Sequence, residues 1–144
     1  GVLPITDNRM TRFSITLQEG VDFVLQCLGK MWGGEIFIPK IPSYHILDIA
    51  KAIAPKVKHK IVGIRPGEKL HETLINNDEI RYTWNVNDMY MLSNPHHKLF
   101  SNRDLSELYN GITKVENLTA YSSDVAEKIT QEELKNKIQE SNLL

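Results

Sequence analysis

With Cys27 as its only cysteine, the chain can form no intrachain disulfide and no zinc site built on cysteine pairs. Cys27 sits inside a helical apolar pattern, where a thiol serves as core filler. No run approaches the ~18 apolar residues of a membrane span, and no signal-peptide pattern opens the chain. A soluble, cytoplasmic protein that does not enter a membrane is the default expectation. Charge of one sign is not in excess either: 17 basic against 18 acidic residues leave −1. That balance argues against a nucleic-acid partner, which needs a net basic face. Trp32 and Trp84 also lack the basic surroundings that base stacking uses. Phosphate cradles of the G-x-G-x-x-G or Walker A kind are absent, as are a G-x-S-x-G elbow and an H-E-x-x-H pair. His96-His97 has no evident carboxylate or cysteine beside it, so no metal site is expected.

What remains is ordinary globular material, 41% hydrophobic and 24% charged, enough for one domain or a piece of one. Thr16 and Glu19 make a T-x-x-E capping box, and Val21, Val24, Leu25 and Leu28 follow at helical spacing up to Gly29. A strand at Glu35–Ile38 comes next, bounded by Pro39. A second helix carries Ile46, Leu47, Ala50 and Ile53 and stops near Pro55. A β-branched strand is expected at 60–64 and a short helix from Leu70 to Ile75. Beyond Asn76 the periodicity weakens, with a candidate strand at Met89–Leu92 and a loop from Asn94 to Asn102. Thr130 and Glu133 form a second capping box ahead of a helix bearing Leu134 and Ile138. The alternation of helix and strand points to an α/β or α+β fold.

One turn carries chemistry. Arg65-Pro66-Gly67-Glu68 breaks the strand Lys60-Ile61-Val62-Gly63-Ile64. An arginine at a strand end offers a planar fork of donors to phosphate oxygens, and a carboxylate beside it accepts from hydroxyls. The same four residues also suit a plain surface turn with an i to i+3 ion pair. Local chemistry leaves both readings open.

A longer series of motifs resembles one family. Ile5-Thr6-Asp7, Met10-Thr11-Arg12-Phe13-Ser14-Ile15-Thr16-Leu17 and Gly33-Gly34-Glu35-Ile36-Phe37-Ile38-Pro39-Lys40 come in order. Ile41-Pro42-Ser43-Tyr44, Ile46-Leu47-Asp48-Ile49-Ala50 and Val62-Gly63-Ile64-Arg65-Pro66-Gly67-Glu68-Lys69-Leu70-His71-Glu72 continue the match. Ala120-Tyr121-Ser122-Ser123 and the closing helix complete it. Together they resemble the carboxyl-terminal part of bacterial UDP-N-acetylglucosamine 4,6-dehydratases of polysaccharide biosynthesis, which are extended short-chain dehydrogenase/reductases. Residues 76–118 match most loosely. The resemblance implies that Arg12 and Arg65 hold the substrate diphosphate and that Glu68 holds the nucleotide ribose. Met10, Thr11 and Glu72 would line or support the pocket, while Lys69 and His71 would be solvated helix residues.

The chain departs from the family where catalysis begins. The glycine-rich NADP-binding (or NAD-binding) turn is missing, and no tyrosine has a lysine four positions on. Tyr44, Tyr82, Tyr90, Tyr109 and Tyr121 are followed there by Asp48, Val86, Asn94, Thr113 and Val125. No catalytic residue and no cofactor-binding residue is therefore assigned. The expectation is a single substrate-binding fragment over 1–144. Residues 1–40 would form the rim of the parent's Rossmann domain, and 41–144 the substrate lobe and tail. Its partners would be a UDP-sugar and the missing amino-terminal cofactor domain. The unpaired strand edge and apolar helix face left behind would promote self-association. The same lobe of a UDP-sugar 4-epimerase, or a non-catalytic interaction module, are the alternatives.

Overall fold

The computed structural model describes residues 1–101 and 103–140. In chain order the elements are β1 (Val2–Ile5), β2 (Thr11–Phe13), α1 (Leu17–Leu28), β3 (Glu35–Pro39), β4 (Ser43–His45), α2 (Ile46–Ile53) and β5 (Lys58–Ile61). They continue with β6 (Thr73–Ile75), β7 (Thr83–Val86), β8 (Met89–Ser93), β9 (Thr113–Lys114), β10 (Tyr121–Ser122) and α3 (Gln131–Glu140). This is the mixed α/β content that the alternation of patterns implies. Two compact units divide it. The first takes Gly1–Thr16, Ile41–Thr73 and the described residues from Ser122 on; the second takes Leu17–Lys40 and Leu74–Tyr121.

In the first unit β1 lies parallel to β5, from Val2 opposite Lys58 to Ile5 opposite Ile61. β2 runs antiparallel to β4, with Arg12 opposite Tyr44. Helix α2 packs on β1, β4 and α3. The second capping box forms as its spacing predicts: Thr130 N–H donates to Glu133 Oε2 at 2.9 Å, and Glu133 N–H donates to Thr130 Oγ1 at 3.2 Å. Leu134 and Ile138, four residues apart on one face of α3, are both buried.

Two expectations shift here. The strand expected at 60–64 lies earlier, at Lys58–Ile61. Its ladder is prolonged by Val62 N–H to the Ile5 carbonyl and Gly63 N–H to the Thr6 carbonyl. The short helix expected from Leu70 to Ile75 does not form; the chain bends at Leu70 and His71 and then runs into β6. A helix would pair these backbone groups with one another, yet they are committed to distant partners. The Leu70 carbonyl accepts the Thr11 N–H at 3.1 Å, and Ser123 N–H donates to the Glu72 carbonyl at 2.8 Å. β-branched Thr73 and Ile75 then suit a strand better than a helix.

The second unit holds a four-stranded antiparallel sheet in the order β3-β8-β7-β9. The strand foreseen at Met89–Leu92 is its β8, and the one at Glu35–Ile38 is its edge strand β3. Every second residue of β8 (Met89, Met91, Ser93) is buried, the period-2 pattern of a strand with one face on a core. That core gathers Val86, Met89, Met91, Phe100, Leu105 and Tyr109. The weak periodicity beyond Asn76 hid most of it. β7 and β8 are joined by only Asn87 and Asp88, and Asn87 takes a φ of 52°, which asparagine tolerates better than most residues. Gly34, at φ 89°, has a second reason to be glycine: a Cβ there would lie 2.8 Å from the His97 ring. Thus His97 serves packing. Asn102, the end of the expected loop, lies outside the described residues.

Helix α1 begins directly after Thr16. It lays Phe23 and Cys27 against the core, and burial pushes the Cys27 thiol pKa up. The stripe read from the sequence points the other way. Leu17, Val21, Val24, Leu25 and Leu28 are all exposed, Leu17 by 86%. Ile36, on β3, is exposed as well.

Candidate functional site

The strand β5 and its prolongation deliver the chain to residues 65–68, which close as a β-turn. Glu68 N–H donates to the Arg65 carbonyl at 3.1 Å. Gly67, at φ 85°, fills the position where a type II turn needs a left-handed residue, and Pro66 presets the one before it. The Glu68 carboxylate folds back on the turn. Its Oε2 accepts the Arg65 backbone N–H at 2.9 Å, and its Oε1 lies 3.8 Å from Arg65 Nη1. The Arg65 side chain nevertheless stays 73% exposed. An exposed pair at that distance holds its partners weakly, so the guanidinium can turn to another anion.

Arg12, on β2, is placed differently. Its Nη1 donates to the carbonyls of Thr11 (2.6 Å) and Leu70 (3.3 Å), and its Nη2 to that of Lys69 (3.0 Å). Its Nε stands 3.5 Å from Glu72 Oε1, and the side chain is 24% exposed. The two arginines meet one stretch of chain: Arg65 opens it and Arg12 grips its far end. A second hydrogen on Arg12 Nη2 remains for a further acceptor. Tyr44, the cross-strand neighbour of Arg12, has its phenol pKa raised by burial, with Arg12 pulling the other way.

The supporting residues are polar and mutually satisfied. Asp7 takes Arg9 by Nε (3.0 Å), Nη2 (2.8 Å) and backbone N–H (2.8 Å), which brings its carboxyl down to about 2. Thr11 Oγ1, fully buried, lies 2.7 Å from His71 Nδ1 and 2.6 Å from Ser123 Oγ. Ser123 Oγ in turn accepts the Glu72 N–H at 2.9 Å. Lys128 Nζ donates to the carbonyls of Ser123, Asp124 and Ala126, each at 2.9 Å. Sequence reading singled out Arg12, Arg65 and Glu68 but gave Thr11 and His71 only passive places. It had no signal for the bond between Thr11 and Ser123, which lie 112 positions apart.

Among the described residues no three His, Cys, Asp or Glu side chains gather as a metal site, and no helix is long and apolar enough to cross a membrane. A groove of about 500 Å³ in the second unit, lined by Lys30, Met31, Trp32, Asn87, Tyr109 and Asn110 among others, includes none of Arg12, Arg65 and Glu68.

Known proteins resemble this chain in sequence and in fold. The chain is 50% identical over 126 residues to the UDP-N-acetylglucosamine 4,6-dehydratase (inverting) of Campylobacter jejuni subsp. jejuni serotype O:2, covering 85% of this chain and 37% of that protein. It is 32% identical over 141 residues to the UDP-glucose 4-epimerase of Rickettsia conorii, covering 93% of this chain and 40% of the epimerase. The X-ray structure of Pen from Bacillus thuringiensis superposes with a TM-score of 0.79 at 27% identity, over 99% of this chain and 42% of Pen. The chain thus spans well under half the length of each of these three. The family model described as polysaccharide biosynthesis protein matches residues 1–94, which include Arg12, Arg65 and Glu68. With that match over more than half its residues, the chain belongs to the polysaccharide biosynthesis protein family.

Proposed function

We propose that this chain is the substrate-holding part of a UDP-N-acetylglucosamine 4,6-dehydratase, an NADP-dependent lyase of the extended short-chain dehydrogenase/reductase class. In this reading Arg65 contacts the UDP diphosphate through its exposed fork. Arg12 adds its charge and its remaining Nη2 hydrogen from the neighbouring strand, and Glu68 accepts from the ribose. Binding energy gathered on the diphosphate orients the sugar toward chemistry housed elsewhere in the enzyme. Alone, the chain is inactive in dehydration, because it has neither the glycine-rich cofactor turn nor a Tyr-x-x-x-Lys pair. The exposed face of α1 and the edge strand β3 receive a cofactor domain, and without one they promote self-association. The proposed location is the cytoplasm.

The observation that carries this reading is the exposed Arg65 guanidinium on a turn followed directly by the Lys69 and Leu70 carbonyls that Arg12 grips. Similarity to the Rickettsia epimerase, over 93% of the chain, favours a 4-epimerase as the second reading. The 50% identity to the Campylobacter dehydratase ranks it behind the first. An NMR titration with UDP and with UDP-N-acetylglucosamine tests the diphosphate grip. Saturable shifts that vanish in Arg65→Ala are the expected result. Shifts absent at millimolar ligand, or unchanged in the variant, overturn it for this chain.

A further inference from the structure

We propose that His71 is a positioning residue, held in the Nε2–H tautomer by a hydroxyl relay from Ser123 through Thr11, and that this relay fixes the arginine-bearing turn to β2. The assignment follows from counting protons. Ser123 Oγ accepts the Glu72 N–H, and its own single hydrogen needs an acceptor. Ser123 is fully buried, and the only other polar atom within reach of that oxygen among the described residues is Thr11 Oγ1, at 2.6 Å. Ser123 therefore donates to Thr11. The Thr11 hydroxyl, buried as well, must then donate to its remaining neighbour, His71 Nδ1, at 2.7 Å. Nδ1 is thus an acceptor, and the ring proton sits on Nε2. Reversing the direction, with Nδ1–H donating to Thr11 and Thr11 to Ser123, strands the Ser123 hydrogen in a buried site without an acceptor.

The consequence is geometric. The relay joins three segments that are far apart in sequence: β2 with Thr11 and Arg12, the stretch 69–72 that follows the Arg65 turn, and the Ser123 segment. Both arginines stand on chain that it fastens. His71, which reads from the sequence as a solvated helix residue, is instead the terminal acceptor of a directed chain of hydrogen bonds. Its importance for UDP rests on the diphosphate reading above, whereas the tautomer does not.

The experiment is long-range nitrogen–proton NMR on the 144-residue chain at mildly alkaline pH, where an ordinary imidazole is neutral. Expected are an acceptor-type Nδ1 resonance and a protonated Nε2 for His71. Thr11→Ser, which keeps the hydroxyl, preserves that signature. Thr11→Val loses it, and exchange of the Glu72 amide hydrogen accelerates by about tenfold or more. His71→Asn, whose side-chain oxygen can still accept from Thr11, keeps the Glu72 amide protected, while His71→Ala does not. A protonated Nδ1, or an unchanged signature in Thr11→Val, overturns the relay. UDP titrations of the same variants separate the two ideas. If the signature behaves as expected but UDP affinity is equal in Thr11→Ser and Thr11→Val, the positioning role is overturned. If the parent chain binds no UDP, the diphosphate reading falls, and amide exchange alone decides whether the relay fastens the turn.

Discussion

The two units are held together by different forces, and their exposed surfaces differ to match. The second unit rests on an apolar cluster built around β8, with Met89 and Met91 all but inaccessible, and it leaves an apolar helix face in solvent. The first unit has buried apolar residues too, but its arginine-bearing turn hangs on hydroxyls, amide groups and guanidinium donors that link distant segments. Apolar packing is tolerant of small displacements, whereas a buried hydrogen-bond chain has one satisfactory arrangement. A site that must present charge at a set place gains from the second kind of support.

The largest predicted effect tests the packing side of that contrast. Met91→Ala truncates a fully buried member of the cluster and should lower stability by about 2–5 kcal/mol in a denaturant titration. A loss below about 1 kcal/mol would mean that the cluster does not hold this unit together. On the other side, Ser123→Ala strips the Glu72 N–H and the Thr11 hydroxyl of their shared buried partner. A smaller cost of about 1–3 kcal/mol is expected, with the changes in amide exchange concentrated at 69–72 and around Thr11. Changes spread evenly over both units would erase the distinction.

The exposed helix face should respond in the opposite way. Leu25→Gln changes stability by no more than about 0.5 kcal/mol, since the side chain is exposed. Sedimentation at high concentration should nonetheless show less self-association than in the parent chain; equal association would place the sticky surface elsewhere. The smallest effect belongs to Asp7. Its folded pKa of about 2 lies below the unfolded value of 3.8, so its contribution is present above about pH 4 and fades as pH falls toward 2. Arg9→Ala should remove that contribution above about pH 4, only slightly because Arg9 is 71% exposed, and leave stability near pH 2 unchanged, so that this part of the acid-stability curve flattens. An unchanged acid limb would show that the pair does not persist in solution.

The same contrast explains what the sequence revealed. Helices α1, α2 and α3 were legible because capping and periodicity are local, and Thr130 with Glu133 behaves as its spacing requires. The orientation of α1 was not legible. Val21, Val24, Leu25 and Leu28 look like a core stripe, while the contacts to the cluster are made by Phe23 and Cys27. Leu70 to Ile75 was misread because Leu70 and Leu74 fit a helical period, whereas Thr11 and Ser123 decide the backbone from 50 or more positions away. At the candidate site, Arg65 and Glu68 announce their turn through Pro66 and Gly67. Only the ordered motifs linked Arg12 to it.

The discontinuity of the first unit has a consequence for how the chain is made. The β7–β8 hairpin closes across two residues, so part of the second unit can form early. By contrast, the bonds through Ser123 reach back 51 positions to Glu72 and 112 to Thr11. Loops of that size must be closed before the contacts within them stabilise anything, which makes them late events in folding. On a ribosome the arginine-bearing turn would stay unfastened until residue 123 had cleared the exit tunnel. From the synthesis of Arg65 until that of Ser123, both arginines would be present but not yet held in place.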